Sequence, residues 1–407
     1  MVANTGFVLG VNYWPRAKAM YWWKDFDRAE VETEFAEIAA LGLQVARIFL
    51  FWEDFQPTPD RINDAALADL GTVLDVAQAA GIQVMPTFFT GHMSGINWWP
   101  AWALSDTDDP QGVRRIADGA FTTRVGRDPY ADPFMLAAET RLVEAVCGRY
   151  GSHPAIYSWN FSNEPDLFSK PHTYTDGAVW NRLHSQTVRR LSSRPVSAGM
   201  HLPTVNAHNG FRPDLLAPDN DFLSMHAYSI YYRGTADDDP MNSDVVPVAS
   251  LATEGLGGKR VLFEEFGYAS SEHGEVSEYR TVRRSVGPVL QYFADDAAGG
   301  RYYAEVLEKL ARCGSLGAFG WMFSDYVPAL WDKPPFDSHE HERFFGLTRN
   351  DGSVKPSGEA MRAVAARVVA GTIPARTVGP LTLDAEAWYQ DPSLHFDRLF
   401  AEWRGRL

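Results

Sequence analysis

Short runs of β-branched and aromatic residues alternate with amphipathic stretches along nearly the whole chain of 407 residues. Eight runs predict strands, at residues 7–12, 45–50, 83–89, 156–160, 195–199, 222–226, 260–265 and 317–322. Helical spacing is clearest between them, at residues 31–41, 65–80, 135–150 and 303–313. A strand followed by a helix, repeated eight times, predicts a single (β/α)8 (TIM) barrel. A doubly wound open sheet is the competing fold, but no glycine-rich dinucleotide fingerprint follows the first strand.

Two connections are longer than a plain scaffold needs, at about 90–133 after the third strand and about 324–343 after the eighth. Loops beyond ~15 residues are usually functional or disordered, and the tryptophans in both loops argue against disorder. Residues 371–407 carry too few apolar positions for a core of their own. We therefore predict a catalytic barrel over 1–370 with long loops at its carboxyl face. A short C-terminal extension over 371–407, with a strand or two and a helix at 395–403, is predicted to pack on the barrel.

Charge and apolar patterning restrict the partners and the compartment. The net charge of -15 argues against nucleic acid and anionic membranes as partners, because both need a basic surface. No run of ~18 apolar residues could span a membrane, and the N-terminus has no signal-peptide pattern. We expect a cytoplasmic protein, although a secreted chain trimmed of its signal would look the same. Cys147 and Cys313 lie in apolar helical patterns and are predicted to be buried thiols.

Two carboxylates follow predicted strands. Glu164 follows the apolar run 156–161 and the two polar residues 162–163 after that run. Pro165 then prevents the strand from continuing. Glu265 closes the run 260–265. By order these are strands four and seven, whose carboxyl ends face each other across the mouth of a barrel. Glycoside hydrolysis needs such a pair, with one carboxylate ionised and the other protonated.

These strand ends resemble family 5 of the clan A retaining glycoside hydrolases, the family of cellulases and mannanases. The motifs are Asn163-Glu164-Pro165 and Glu265-Phe266-Gly267, and the resemblance covers about residues 7–369. It implies that Glu164 is the acid/base, Glu265 the nucleophile and Asn163 a donor to the sugar 2-hydroxyl. Further matches are Arg47, which the family holds against the nucleophile, His226 and Tyr228 after strand six, and Trp321 beneath the sugar.

Structural readings compete with each match taken singly. An arginine such as Arg47 is most often part of a structural ion pair, and Trp321 alone is most often a core residue. Glu264 is the alternative to Glu265, and the two could form a solvated pair. The family pattern favours the residue directly before Phe-Gly, and several matches in the right order on the right strands favour the functional reading.

Metal and serine chemistry have weaker signals. His339 and His341 in "SHEHER" have a spacing that a strand could use for a metal, but a third ligand at a barrel strand is missing. We predict that both are surface or substrate-contacting residues and that the protein needs no metal or other cofactor. A serine nucleophile is also unsupported, because no Gly-x-Ser-x-Gly motif occurs.

Aromatic residues are dense in the segments predicted to surround the mouth of the barrel. Candidate substrate-binding residues there are His92, Trp98, Trp99 and Trp331, with Tyr231 as a further wall residue. Such bulk favours a pocket for a chain end over an open groove. These segments also resemble the exo-β-mannosidases of family 5, which act on short mannosides including mannosyl-N-acetylglucosamine.

The expected function is a retaining exo-β-mannosidase that releases terminal mannose from an oligosaccharide. An endo-β-mannanase, a β-glucanase or a β-glucosidase on the same barrel is the first alternative. A non-catalytic carbohydrate-binding barrel is the alternative from another class.

Overall fold

Eight parallel strands form the central sheet of the computed structural model, which describes residues 6–232, 239–284 and 287–407. They are β1 (Val8–Asn12), β2 (Val45–Phe51), β3 (Gln83–Thr90), β4 (Trp159–Asn163), β5 (Val196–Gly199), β6 (Leu223–His226), β7 (Val261–Phe266) and β8 (Gly317–Gly320). Their order in the sheet is β5-β4-β3-β2-β1-β8-β7-β6. Backbone hydrogen bonds from Leu202 N to His226 O (2.9 Å) and from His226 N to Met200 O (2.8 Å) join the ends of β5 and β6. The predicted (β/α)8 barrel is confirmed.

Longer helices surround the sheet. Within the described residues they are α1 (Arg28–Ala40), α2 (Asp64–Ala80), α3 (Pro133–Tyr150), α4 (Tyr174–Arg189), α5 (Val245–Gly257), α6 (Asp296–Cys313), α7 (Pro356–Val369) and α8 (Pro392–Trp403). One-turn helices are Trp52–Phe55, Pro165–Phe168, Pro203–Asn206, Pro213–Leu216 and Ala385–Trp388. The pattern of one long helix after each strand fails at β5, because β5 is followed before β6 by the short helices Pro203–Asn206 and Pro213–Leu216 and the 3-10 turn Ala217–Asp219.

Polar residues at the helix ends explain why the helices begin and end where they do. The side chains of Asp27 and Asn63 accept backbone N–H groups at the starts of α1 and α2, and Thr173 with Asp176 forms a capping box at α4. Gly81 ends α2 in the left-handed conformation, with φ 73°. The predicted helices started later than the observed ones, because capping turns are polar and do not show apolar periodicity.

The fourth strand differs from the prediction. It spans Trp159–Asn163 and not 156–160, and Ile156 makes only an isolated bridge to Val84. The strand extends past the apolar run because its polar side chains are buried and satisfied inside the barrel. Asn160, for example, is fully buried and donates to Ser197 Oγ at 3.0 Å and to Glu264 Oε2 at 3.0 Å.

The connections contain more structure than the sequence indicated. The loop after β3 holds short strands at His92–Met93, Ile96–Trp98, Leu104–Asp108, Arg115–Ala117, Ala120–Thr122 and Arg124–Gly126. After β7, Glu278–Arg284 pairs with Gly287–Phe293 in an antiparallel hairpin that the sequence analysis did not predict. The remaining short turns are 3-10 helices at Ala19–Tyr21, Ala101–Ala103, Ala217–Asp219, Ser229–Tyr231, Pro328–Leu330 and Glu340–Phe344.

The C-terminal extension is helical and lies against the barrel loops. Trp388 Nε1 donates to Val205 O at 2.7 Å, and Arg376 forms an ion pair with Glu254. The predicted strand is wrong, because residues 371–407 of the described chain contain α8 and one short helix but no strand. Pro374 and Pro380 lack the N–H that a strand ladder needs. The domain division at residue 370 stays a prediction.

Cys147 and Cys313 are both buried and unpaired, as predicted. In the described part of the chain, no helix combines the length and the apolar character that crossing a membrane requires.

Candidate active site

A cavity of about 720 Å³ lies at the carboxyl ends of the barrel strands. Glu164 follows β4, Glu265 lies near the end of β7, His226 ends β6, and Trp321 follows β8; all four line the cavity. One oxygen of Glu164, one oxygen of Glu265 and one ring nitrogen of His226 lie within 4.8 Å of one another. The barrel therefore brings together the two carboxylates that lie 101 positions apart in the sequence.

Two donors hold the Glu265 carboxylate. Arg47 Nη1 donates to Oε1 at 2.5 Å, and Tyr228 Oη donates to Oε2 at 2.8 Å. The guanidinium of Arg47 is fully buried, and its other acceptors are Asn12 Oδ1, Thr87 Oγ1, Asn160 Oδ1 and Asn163 Oδ1. Because every nitrogen of the Arg47 guanidinium has an acceptor, the guanidinium is held in place and fixes the position and orientation of Glu265.

Glu264 and Glu265 have different surroundings although they are neighbours. Glu264 is completely buried and accepts hydrogen bonds from Ser197 Oγ at 2.9 Å and from Asn160 Nδ2 at 3.0 Å. Glu265 reaches the cavity. The alternative of a solvated pair is wrong for this strand, and the geometry favours Glu265 as the carboxylate that a substrate can reach.

Glu164 has an unusual backbone conformation. Its φ of 48° and ψ of 60° lie in the left-handed region, which non-glycine residues rarely adopt. Its amide donates to Gly199 O at 2.9 Å, and Pro165 starts a short helix directly after it. Such outliers concentrate at functional sites.

Histidines surround the Glu164 carboxylate. His226 Nδ1 lies 3.2 Å from Oε1, and His201 Nδ1 lies 3.7 Å from Oε2. The other ring nitrogen of His201, Nε2, lies 2.8 Å from Asp166 Oδ1. Asp166 belongs to the short helix that follows Glu164.

The charges in this cluster shift the pKa values of its members. Burial alone would raise the pKa of Glu164, but the charges of His201, His226 and His92 lower it to about 2. Burial opposes the charged form of His201, yet Asp166 and Glu164 raise its pKa to about 9. The pKa of Glu265 is raised, because burial and the charge of Glu164 outweigh His226 and Arg47.

Comparison with known proteins finds similarity to glycoside hydrolases. Residues 20–182 match a family model described as beta-galactosidase. The probable mannan endo-1,4-beta-mannosidase A of Aspergillus flavus is 25% identical over 330 residues, which are 73% of this chain and 78% of that protein. The chain is a glycoside hydrolase related to family 5 of clan A. The predicted resemblance is confirmed.

Solved structures share the fold. A GH5_18 protein from Streptomyces cattleya, in complex with GlcNAc, superposes with a TM-score of 0.79 at 19% identity, over 98% of this chain and 90% of that chain. The exo-beta-1,4-mannosidase Op5Man5 from Opitutaceae bacterium strain TAV5 gives a TM-score of 0.73 at 22% identity. That superposition covers 91% of this chain but 61% of the Opitutaceae chain, so the Opitutaceae enzyme is considerably longer than the matched region.

Asn163 and His92 of the glycoside hydrolase line the cavity together. Asn163 Oδ1 accepts from Arg47 Nη2 at 3.0 Å, and its Nδ2 donates to His92 O at 3.3 Å. His92 Nδ1 lies 2.6 Å from Asn97 Oδ1. The structure therefore gathers the predicted residues Arg47, Asn163, His226, Tyr228, Trp321 and His92 around the two carboxylates.

Trp98, Trp99 and Trp331 are not among the residues that line the cavity, so the prediction that they form its wall is not supported. Trp99 stacks on Phe168 with ring centroids 3.9 Å apart, and Trp98 packs edge-on against Phe51 at 5.2 Å. Trp331 Nε1 donates to Tyr326 O at 3.0 Å. The long loops have secondary structure of their own, and their tryptophans pack inside that structure instead of facing the cavity.

Charged and imidazole side chains line the cavity where tryptophans were predicted. His339, His341 and Glu342 come from the loop after β8, and Arg284 comes from the hairpin after β7. Glu342 accepts from Ser94 Oγ at 3.1 Å, and Arg284 Nη2 lies 3.2 Å from His341 Nε2. Burial favours the neutral form of Glu342, but His341, His339 and Ser94 lower its pKa below the ordinary value.

Sequence reasoning missed His201, Glu342 and Arg284. The dense run of charges in "SHEHER" was a signal for Glu342, since a buried loop rarely carries so many polar groups without a function. His201 and Arg284 belong to no sequence motif described above.

The spacing of Glu164, His226 and Glu265 would also suit a metal ion. Both oxygens of Glu265 already accept strong hydrogen bonds, from Arg47 and Tyr228. The buried positive charge of Arg47 also repels a divalent cation. The donor set therefore fits proton transfer and nucleophilic attack better than metal binding.

Proposed function

We propose that this glycoside hydrolase is a retaining exo-β-mannosidase that releases terminal β-linked mannose from short oligosaccharides. The observation that carries the proposal is the pair Glu164 and Glu265, with oxygens within 4.8 Å. Retaining glycosidases hold their carboxyl groups ~5–5.5 Å apart, whereas inverting enzymes leave ~6.5–9.5 Å for a water molecule. The short separation supports double displacement.

In the first step, a Glu265 oxygen attacks the anomeric carbon while the glycosidic bond breaks. Glu164 gives its proton to the leaving oxygen. In the second step, Glu164 takes a proton from water, and the resulting hydroxide displaces Glu265 from the anomeric carbon. Arg47 and Tyr228 hold the attacking carboxylate and stabilise it again when it leaves.

The first step requires a protonated Glu164, and the surrounding histidines provide the proton. Glu164 and His201 share one proton. In the ionised form of the pair His201 carries it, and in the neutral form Glu164 carries it. A bound sugar excludes water, and desolvation favours the neutral form. When Glu164 becomes neutral, one of the causes of the raised pKa of Glu265 disappears, and the hydrogen bonds from Arg47 and Tyr228 still favour the ionised form that attacks.

Exo action is supported by the loops at one end of the cavity. Ser94, in the loop after β3, donates to Glu342 in the loop after β8, and Arg284, in the hairpin after β7, contacts His341 in that same loop after β8. These contacts join the loops on that side of the cavity, and we propose that they leave room for a terminal sugar but not for the interior of a polymer. Two relatives are consistent with this choice: the Opitutaceae structure is of an exo-beta-1,4-mannosidase, and a GH5_18 structure from Streptomyces cattleya contains Manb1-4GlcNAc.

An endo-β-mannanase is the second candidate, because the Aspergillus relatives are described as mannan endo-1,4-beta-mannosidases. Two assays distinguish the candidates and test the sugar. The purified protein is first given aryl β-mannoside, β-glucoside, β-galactoside and β-xyloside, and the β-mannoside should be hydrolysed fastest. It is then given a soluble mannan. Release of mannose with little loss of viscosity supports the exo proposal, whereas a rapid fall in viscosity with mixed oligosaccharides would establish the endo enzyme.

A further inference from the structure

The cavity continues past the catalytic pair toward the C-terminal extension. On that side its lining residues are Leu202, Pro203, Asn206, Tyr232, Ser393 and Asp397. Ser393 and Asp397 belong to α8, which lies beyond the predicted end of the barrel domain. The extension therefore contributes directly to the wall of the catalytic cavity.

Contacts of α8, and of the residues shortly before it, hold α8 against the barrel. Tyr232 Oη donates to Asp397 Oδ1 at 2.6 Å, and the ring of Tyr232 packs edge-on against Phe396 and Phe400. Trp388 Nε1 and Tyr389 Oη donate to backbone carbonyls of the helix Pro203–Asn206. Asp397 is thus held at a defined place on the wall.

The acid/base group indicates which sugar occupies this side. Glu164 must reach the glycosidic oxygen, so the leaving group lies on the side of Glu164 that faces away from Glu265 and Trp321. His201, which neighbours Glu164, lies two residues before Pro203, where the helix that α8 contacts begins. The leaving group therefore meets the wall that α8 completes.

We infer that α8 forms the binding site for the leaving sugar, with Asp397 as the main contact and Ser393 and Asn206 beside it. The inference rests on the proposed function. An ionised carboxylate only accepts hydrogen bonds, and Tyr232 uses one of about four acceptor positions on Asp397. The fitting ligand is a pyranose that presents hydroxyl or acetamido N–H donors. An aromatic leaving group, which lacks these donors, gains nothing from Asp397.

Kinetics with two leaving groups test this site. Asp397→Asn should lower kcat/KM for mannosyl-N-acetylglucosamine and for mannobiose about tenfold, because a charge-assisted hydrogen bond is lost. For nitrophenyl β-mannoside, kcat/KM should change less than about twofold. Ser393→Ala should show the same selectivity with a smaller loss. Comparison of the two disaccharides tells whether Asp397 prefers an acetamido or a hydroxyl donor.

Glu402→Gln is the matched control, since it removes the same charge from the exposed side of α8. It should leave both substrates unaffected. Equal losses on disaccharide and nitrophenyl substrates in Asp397→Asn would mean that Asp397 only supports the fold. No loss on either substrate would overturn the inference as well.

A binding measurement keeps this test separate from the proposed function. Saturation-transfer NMR should detect free N-acetylglucosamine on the wild-type protein and on Trp321→Ala, but only weakly on Asp397→Asn. This outcome does not depend on which glycoside the enzyme hydrolyses. Binding that survives Asp397→Asn and disappears in Trp321→Ala would place the sugar beside Trp321 and contradict the inference. If the wild-type protein hydrolyses no β-mannoside but the NMR result holds, the proposed activity fails and the sugar site stands.

Discussion

The two ends of the catalytic cavity differ in the elements that build them. At one end, Ser94, Arg284, His341 and Glu342 contact one another across the loops that follow β3, β7 and β8. At the other end, the one-turn helix Pro203–Asn206 and α8 form the wall, and Asp397 is held by a single bond to Tyr232. The first end is built by a network of charged and imidazole side chains, whereas the second is built in part by a terminal segment. We infer that the first end selects the terminal sugar and the second selects the leaving group.

The largest effect is expected where the two ends meet. Glu265→Ala should abolish turnover, because no other group can form the glycosyl-enzyme bond. Glu164→Ala should slow hydrolysis of a disaccharide by about 10²–10⁴-fold but should spare an activated aryl glycoside, whose phenolate needs little protonation. Azide should rescue Glu164→Ala as a β-glycosyl azide and Glu265→Ala as an α-azide. Glu264→Ala is the matched control, and formation of an α-azide by that variant would show that the nucleophile is Glu264.

A charge removed from the first end should affect all substrates alike. Glu342→Gln keeps the shape of the side chain but removes a carboxylate from the sugar pocket. Loss of a charged hydrogen bond should lower kcat/KM about 10–100-fold for aryl and disaccharide substrates equally. Glu340→Gln, in the same loop and paired with Arg280 outside the cavity, is the control. A selective loss on disaccharides only would assign Glu342 to the leaving-group end and reverse the comparison.

His201→Gln tests the proton at the leaving-group end. In the wild type, the alkaline limb of kcat/KM should follow loss of the proton shared by His201 and Glu164, near the raised pKa of His201, about 9. Without His201, only Glu164 carries that proton, and the charges of His226 and His92 lower the pKa of Glu164. The alkaline limb of kcat/KM should therefore move to lower pH. A shift to higher pH would mean that His201 only lowers the pKa of Glu164.

Because the pKa of His201 is raised in the folded protein, its contribution to stability is complete below its ordinary value of 6.5 and is lost as pH rises through about 9.

The smallest effect on catalysis is expected in the loop after β3. Trp99→Phe removes part of a stacked contact with Phe168 behind the cavity. We expect a loss of about 1–3 kcal/mol in the free energy of unfolding, measured by urea denaturation, with KM for the aryl mannoside within about twofold of the wild type. A tenfold rise in KM at unchanged stability would restore Trp99 to the sugar-binding wall.

Periodic patterns made the barrel predictable. Alternation of apolar runs with amphipathic stretches located all eight strands, and β4 alone was clearly shifted, because its polar residues Asn160 and Asn163 lie inside the barrel. Burial of such residues depends on partners far away in the sequence, such as Ser197 and Arg47, and no local pattern reports them. The hairpin after β7 was missed for a related reason, since its strands expose about half of their side chains and show no apolar run.

The centre of the site was predictable to the extent that its residues lie at strand ends. Glu164, Glu265 and His226 all lie within one residue of the end of a strand, so topology alone brings them together. The walls were not predictable in the same way. Trp99 has the composition of a sugar-binding residue but is buried in packing, whereas Asp397 comes from a segment with no strand–helix pattern. Side-chain direction in loops and in terminal segments is set by tertiary contacts that the sequence does not display.

Proton NMR of the first-formed product tests the central claim most directly. The claim is that Glu164 and Glu265 act together at retaining distance. An aryl β-mannoside, or whichever aryl β-glycoside the enzyme hydrolyses fastest, is followed within seconds of mixing, before the free sugar mutarotates. Early appearance of the β-anomer, followed by slow growth of the α-anomer, is the result predicted by double displacement. If the α-anomer appears first, the reaction proceeds with inversion, and the account of Glu265 as nucleophile is wrong.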